Sequence, residues 1–191
     1  MSLCIFGDSI TWGACDARHG GWATRIRLHF ESIGSDVEVY NLGISGNTTR
    51  DLLQRFSDEA TARGATAIIF AIGINDTIAE SNIPAERFAQ NFQMLLDMAA
   101  DITPNVGCVG ITCVDAEHLK KADMESYGYN NTSIGAYDAL IKKLCEAKEI
   151  PYVHVFNTIT PSDLPDGLHP NSHGHEKLFH KILPMAEALF E

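Results

Sequence analysis

The stretch CIFGDSITWGACD, residues 4–16, passes from a short apolar run into Gly-Asp-Ser. A short apolar run that ends at a glycine is typical of a buried β-strand followed by a turn. Similar runs recur four more times along the chain. The five predicted strands are Leu3–Phe6, Val37–Leu42, Ala67–Ile72, Val106–Val114 and Tyr152–Val155.

Amphipathic stretches lie between these runs and after the last of them. Their apolar residues recur at spacings of three and four, which places them on one face of a helix. Strands that are apolar on both faces and alternate with helices indicate a parallel sheet covered on both sides. We therefore predict an α/β protein, a three-layer α/β/α sandwich with a five-stranded parallel sheet, in a single domain spanning residues 1–191.

The composition excludes several classes of partner. The net charge is −11 and no lysine or arginine cluster is present, so nucleic acid and anionic membrane surfaces are poor partners. No apolar stretch is long enough to span a membrane. Five cysteines, an odd number, favour free thiols and therefore a cytoplasmic location. The sequence does not decide whether a leader precedes it. No feature specifies an oligomeric state.

Small polar residues follow the predicted strands. Gly7-Asp8-Ser9 follows the first strand, the segment 43–47 the second and the segment 73–76 the third. The fourth leads into residues 115–133, which we predict to be a long irregular loop. Ligands of open parallel sheets bind beyond the carboxyl ends of the strands, so these residues are expected to form the site.

One set of residues fits acyl-transfer chemistry. A serine hydroxyl needs an imidazole to take its proton, and the imidazole needs an acid to orient it. Ser9 is the candidate nucleophile, His169 the base and Asp166 the orienting acid. Gly43 offers a backbone N–H and Asn75 a side-chain amide for the developing oxyanion.

Four ordered blocks carry a resemblance to the SGNH, or GDSL-type, serine hydrolases. They read FGDSITWG, NLGISGNT, GIND and DGLHPN, and they run from residue 5 to residue 171. The resemblance implies a flavodoxin-like fold and a cofactor-free esterase or lipase-like acylhydrolase that cleaves esters or thioesters of small molecules. Carried over by position, it implies a triad of Ser9, Asp166 and His169, with oxyanion donors from the Ser9 N–H, the Gly43 N–H and the Asn75 side chain.

A rival nucleophile is Ser45. The segment GISGN, residues 43–47, approaches the G-x-S-x-G pattern of α/β-hydrolases, but its last position is Asn47. We therefore expect Ser45 to belong to the turn that presents Gly43.

The histidine-rich tail offers a metal-dependent hydrolase as an alternative. His169 and His173 are four residues apart, and Asp166 could add an oxygen ligand. No other cluster of histidine, cysteine or acidic residues supplies a convincing further ligand, so no metal is expected. We instead expect His173 and His175 on the first turns of the last helix, partly exposed.

A second alternative is a flavodoxin-like module that binds a nucleotide or phosphate without hydrolysing esters. In that case the loop GDSITWG would hold the phosphate. This hypothesis leaves Asn75, Asp166 and His169 without a role.

The substrate is only partly indicated. Trp12, Tyr127 and Tyr129 are expected to shape a cleft. The neighbouring segments 75–86 and 115–133 are mostly polar and lack an apolar run that would line a long acyl tunnel. We therefore predict a preference for short acyl groups such as acetyl.

Overall fold

The computed structural model describes residues 1–191 and contains one five-stranded, entirely parallel sheet. The strand order is β2-β1-β3-β4-β5, which confirms the predicted fold class. The strands are β1 (Ser2–Gly7), β2 (Glu38–Gly43), β3 (Ala67–Ala71), β4 (Val106–Val109) and β5 (Tyr152–Val153).

Seven α-helices connect and follow the strands. They are α1 (Ser9–Trp12), α2 (Gly21–Ser32), α3 (Thr49–Ala62), α4 (Ala85–Ala100), α5 (Ala116–Lys121), α6 (Asn131–Ala147) and α7 (Ser172–Ala188). Helices α2 and α7 pack against each other, and α4 packs between α3 and α6. Parallel strands need such crossover helices, and the helices bury both faces of the sheet.

Strand β1 is an interior strand of the sheet, second from the β2 edge, and is buried along its whole length. It pairs with β2 on one side and with β3 on the other, in a register that aligns Gly7 with Gly43 and with Ala71. These three strands therefore end together, and the residues just beyond Gly7 emerge at the carboxyl edge between the ends of β2 and β3.

The fourth and fifth strands are shorter than predicted. The apolar run to Val114 leaves the sheet after Val109, because its amides find side-chain partners instead. The Ile111 N–H donates to Asp138 Oδ1 at 2.8 Å, and the Val114 N–H donates to Asn131 Oδ1 at 2.9 Å. Burial at the sheet edge, rather than strand pairing, explains why these residues are apolar.

The prediction of an irregular loop over residues 115–133 was wrong. The segment contains α5 and a 3₁₀ turn, Glu125–Tyr127, and it ends in the first residues of α6. Asp115 caps α5 by accepting a hydrogen bond from the His118 N–H at 2.9 Å, an arrangement typical of helix N-termini.

None of the helices combines the length and apolar character that crossing a lipid bilayer requires.

Candidate active site

Ser9 is held at the end of β1 by a tight turn into α1. Asp8 precedes the helix, and its Oδ1 accepts the Ile10 N–H at 3.0 Å. Gly7 has no space for a side chain, since a Cβ there would lie 2.1 Å from Thr11 Oγ1. Ser9 is only 7% exposed, and its hydroxyl has one defined partner.

That partner is His169, which in turn contacts Asp166. Ser9 Oγ lies 3.0 Å from His169 Nε2, and His169 Nδ1 lies 2.7 Å from Asp166 Oδ2. A carboxylate only accepts hydrogen bonds, so Nδ1 carries the proton and Nε2 is free to accept the proton of Ser9. The structure thus brings the three predicted residues into the hydrogen-bonded order that nucleophilic activation requires.

The charge on Asp166 is stabilised locally. Burial acts to raise its pKa, but hydrogen bonds from the His169 amide, the His169 ring and the Leu168 amide outweigh burial and lower the pKa. The two amides donate to Oδ1 at 2.7 and 2.9 Å. Asp166 therefore stays ionised and holds the His169 ring.

The turn that carries Asp166 and His169 is tightly supported. Gly167 adopts φ +85°, and a Cβ there would meet the Leu119 N at 2.3 Å, so α5 packs directly against this turn.

Helix α7 begins directly after this turn, where the sequence predicts the last helix. Asn171 caps it by accepting the Gly174 N–H at 3.0 Å. The buried Asp163 accepts hydrogen bonds from Lys177 and Thr160 and links the preceding turn to α7.

Asn75 reaches the same edge from β3. Its Nδ2 donates to the Asn47 carbonyl at 3.0 Å, and its Oδ1 accepts the Tyr129 hydroxyl at 2.8 Å. The Asn47 carbonyl needs a donor, which fixes the orientation of the amide. An amide nitrogen has two N–H groups, so one remains after the bond to Asn47. The side chain does not cap the 3₁₀ turn that it begins.

Gly43 and Gly46 have different surroundings. The Gly43 N–H already donates to Asn41 Oδ1 at 3.0 Å, and a Cβ on Gly43 would lie 2.3 Å from the Trp12 N. Gly43 thus lets β2 approach α1. Gly46 instead lines the cleft with Ser9 and Asn75, its N–H makes no hydrogen bond within the protein, and no atom lies within 4 Å of its Cβ position.

Gly46 is therefore the glycine at the site that the sequence analysis missed. The sequence signal that could have identified Gly46 was its position in the turn after β2. The backbone N–H of a turn residue is less often used in sheet pairing than that of a strand residue such as Gly43.

Arg55 and Asp76 hold the loops around Asn47. The Arg55 guanidinium donates to the carbonyls at the ends of β1 and β2, Gly7 at 3.2 Å and Leu42 at 2.9 Å, and to Asn47 Oδ1 at 2.8 Å. Asp76 accepts the Thr49 N–H at the start of α3. Burial raises the Asp76 pKa to about 6.

The site opens into a cleft of about 360 Å³. Tyr127, Tyr129 and Met124 line one side of it, and Ser45 and Gly46 line another. Trp12 is 58% exposed and is not part of the lining. The expectation for the two tyrosines is confirmed. The expectation for Trp12 was wrong, because its side chain lies largely in solvent outside the cleft lining.

Ser45 is exposed in its turn and has no hydrogen bond to a histidine. The predicted alternative of a metal held by His169, His173 and Asp166 is not formed either, because His173 and His175 have other partners. His173 Nδ1 pairs with Asp163 Oδ1 at 2.9 Å. His175 is fully buried, not partly exposed as expected, and its Nε2 donates to the Ala14 carbonyl at 3.0 Å. Burial lowers the His175 pKa and keeps the ring neutral.

Asp8 allows a prediction about pH and stability. Burial raises its pKa to about 7, opposed by the Ile10 N–H and reinforced by the charge of Asp76. The folded protein therefore keeps a proton that the unfolded chain releases at lower pH, and ionised Asp8 destabilises the fold progressively as pH rises from about 4 to 7. Asp8→Asn keeps a capping oxygen and removes the charge.

We expect Asp8→Asn to stabilise the protein more at pH 8 than at pH 5, by roughly 2 to 3 kcal/mol. Urea unfolding of both proteins at the two pH values measures the difference. A stability difference that does not change with pH would contradict the assignment.

Residues 5–177 match the sequence model of the GDSL-like Lipase/Acylhydrolase family. A multidomain esterase of Ruminococcus flavefaciens is 31% identical over 118 residues, which cover 58% of this chain and 14% of that protein. The acetylxylan esterase of Geobacillus stearothermophilus is 25% identical, over 91% of this chain and 88% of that protein. The chain thus corresponds to a small part of the first relative and to most of the second.

The fold has a close counterpart among solved structures. A lipase/acylhydrolase from Enterococcus faecalis superimposes with a TM-score of 0.81 at 23% identity, covering 99% of this chain and 95% of that one. These matches do not favour a nucleotide-binding module or a metal-dependent hydrolase built on the histidine tail.

Proposed function

This chain belongs to the GDSL-like lipase/acylhydrolase family, a family of ester-bond hydrolases, and we propose that it is a serine esterase acting through Ser9, His169 and Asp166. The observation that carries the proposal is the continuous chain of hydrogen bonds from the Ser9 hydroxyl through the His169 ring to Asp166 Oδ2. The domain that performs the reaction is residues 1–191.

In the first half of the reaction, His169 Nε2 takes the Ser9 proton while Oγ attacks the acyl carbonyl. The imidazolium that forms is stabilised by ionised Asp166, 2.7 Å from Nδ1. His169 then gives its proton to the leaving alcohol, and the acyl group stays on Ser9. In the second half, His169 activates water in the same way, and the acid is released. No step uses a cofactor.

Three N–H groups are proposed to hold the oxyanion of the tetrahedral intermediate. Asn75 supplies the second N–H of its side-chain amide. Ser9 supplies its own backbone N–H, which lies at the start of α1, where helical amides have no intrahelical partner. Gly46 supplies the third, in place of Gly43, because its N–H is unpaired and it lines the cleft.

The acyl group is proposed to be small. The cleft is open to solvent, and polar Ser9, Ser45, Asn75 and His169 share its walls with apolar residues such as Met124 and Leu168, so no continuous apolar tunnel is present. A long acyl chain would leave most of its apolar surface in water there, which loses about 0.8 kcal/mol of possible burial per methylene. An acetyl group has no such requirement.

The leaving group is proposed to be a polar alcohol of the saccharide type. A second groove of about 430 Å³ shares the segment 127–129 with the cleft, since Gly128 lines the groove and Tyr127 and Tyr129 line the cleft. It is lined by side chains that can hydrogen-bond, Thr77, Asn82, Asn130, Ser133 and Tyr137 among them. The similarity to a relative described as an acetylxylan esterase supports an acetylated saccharide.

We expect kcat/KM to fall from acetyl through butyryl to octanoyl esters of one alcohol, because the cleft buries little of a longer chain. An acetylated xylo-oligosaccharide should be deacetylated, and acetyl-CoA should be a poorer substrate. Rates on p-nitrophenyl esters and acetate release from the saccharide measure both. Ser9→Ala protein, purified in parallel, subtracts any contaminating esterase. A rise in kcat/KM toward octanoyl would contradict the short-acyl proposal.

A further inference from the structure

Cys15 lies beside the proposed triad, and nothing in the hydrolytic mechanism uses it. One ligand atom from each of Cys15, Asp166 and His169 lies within 4.8 Å of the other two. We propose that these three side chains form an inhibitory site for a thiophilic divalent cation such as Zn²⁺ or Cd²⁺. The inhibition rests on the function proposed above, whereas binding of the cation does not.

The spacing of the three side chains is close to that of a zinc site. Cys15 Sγ is 3.8 Å and His169 Nδ1 is 2.7 Å from Asp166 Oδ2. Around a tetrahedral zinc ion, with bonds of about 2.3 Å to sulfur and about 2.0 Å to nitrogen and oxygen, those two separations are roughly 3.5 and 3.3 Å. Small movements of the side chains suffice to admit the ion.

The position of Cys15 is set by its neighbours. Its φ is +64°, a left-handed conformation that few non-glycine residues adopt. The carbonyl of Ala14, on one side, accepts a hydrogen bond from the buried His175 ring. On the other side, the buried Asp16 carboxylate is held by Arg25 at 3.0 Å. Both anchors hold the thiol next to Asp166, so only small side-chain movements separate the three residues from a ligand set.

Cys15 is also accessible. All five cysteines are free, and only Cys15 is exposed. Cys113 is half-buried and lies against the Ile159 carbonyl, and the remaining three are buried. A cation arriving from solvent therefore reaches the thiol beside the triad.

The donor set selects the class of cation. A thiolate and an imidazole favour borderline-soft ions such as Zn²⁺ and Cd²⁺ over Mg²⁺ and Ca²⁺, which prefer oxygen ligands only. The thiolate and the carboxylate together neutralise the two charges of the ion. The fourth position is left to water.

Binding removes the base that Ser9 needs. The cation displaces the thiol proton of Cys15, which goes to solvent, and it takes the lone pair of His169 Nδ1. The Nδ1 proton moves to Nε2, because a neutral imidazole keeps one proton. Nε2 is the atom that accepts the Ser9 proton in the free enzyme, so the bound form cannot activate Ser9.

Binding is tested with Cd²⁺ added to protein first treated with EDTA and dialysed, following the ultraviolet charge-transfer absorbance of the cadmium–thiolate bond. Wild type and Ser9→Ala should give the same signal, because Ser9 supplies no ligand. Cys15→Ala and His169→Ala should lose affinity by at least about tenfold. Cys113→Ala, the matched cysteine control, should bind as wild type does.

Inhibition is tested by Zn²⁺ titration of p-nitrophenyl acetate hydrolysis, with each variant referred to its own uninhibited rate. The half-inhibitory concentration should rise at least about tenfold in Cys15→Ala and in the nearly isosteric Cys15→Ser, and stay unchanged in Cys113→Ala. Mg²⁺ should not inhibit, and EDTA should leave the activity unchanged or raise it.

The two tests separate the site from the function on which its effect depends. A cadmium signal that needs Cys15, in a protein without esterase activity, supports the site and rejects the esterase. An active enzyme whose cadmium signal or zinc inhibition is the same with and without Cys15 overturns the site. Activity lost to EDTA and restored by Zn²⁺ overturns it as well, since the ion would then be required.

Discussion

Ser9→Ala lowers kcat for ester hydrolysis by at least about four orders of magnitude, because the variant has no hydroxyl to form the acyl-enzyme. KM should change little. The fold should remain, because Ser9 itself has a small side chain at the start of α1 and alanine fits in its place. The measurement is steady-state kinetics on p-nitrophenyl acetate together with thermal unfolding. Labelling by a fluorophosphonate should disappear at the same time.

The matched control for this variant is Ser45→Ala. Ser45 lines the same cleft and undergoes the same loss of one hydroxyl. It has no hydrogen bond to His169, whose Nε2 lies 3.0 Å from Ser9 Oγ. We expect kcat of Ser45→Ala to stay within about tenfold of wild type. An inactive Ser45 variant beside an active Ser9 variant would reject the proposed nucleophile.

Asn75→Ala reduces kcat by roughly 100- to 1,000-fold, the usual loss for one oxyanion donor. KM should change little, because the donor acts on charge that develops only in the transition state. The fluorophosphonate should still react with Ser9, but more slowly. The variant also loses the bonds to Asn47 and Tyr129, so unfolding must be measured on the same preparation.

Tyr129→Phe is the control that separates donation to the oxyanion from support of the loops. It removes the hydrogen bond to Asn75 Oδ1 and leaves the Asn75 amide donor in place. We expect its kcat to fall much less than that of Asn75→Ala. If the two variants lose the same activity and the same stability, Asn75 acts only by holding its neighbours.

The fold was predictable because it depends on patterns that repeat along the chain. A run apolar on both faces can be buried only in the middle of a layered structure, and alternation with amphipathic helices leaves a parallel sheet. The carboxyl ends of parallel strands lie at one edge, so Ser9 and Asn75 were expected near each other before any distance was known. The end of β4 at Val109 was not predictable, because the apolar residues that follow it, up to Val114, resemble those inside a strand.

The sequence alone therefore determined the layered fold. It also predicted which polar residues, Ser9, Asn75, Asp166 and His169, gather at the carboxyl edge of the sheet. Only the tertiary structure decided which glycine offers an unpaired amide, Gly46 or Gly43, and that Cys15 adjoins Asp166, 151 positions away in the chain. It also buried His175, which the local pattern placed at a partly exposed helix start. The physical reason is that the period of apolar residues shows only which face of its own helix or strand a residue occupies. Hydrogen-bond partners and burial depend on which other elements pack against that face, and this is decided by the fold of the whole chain.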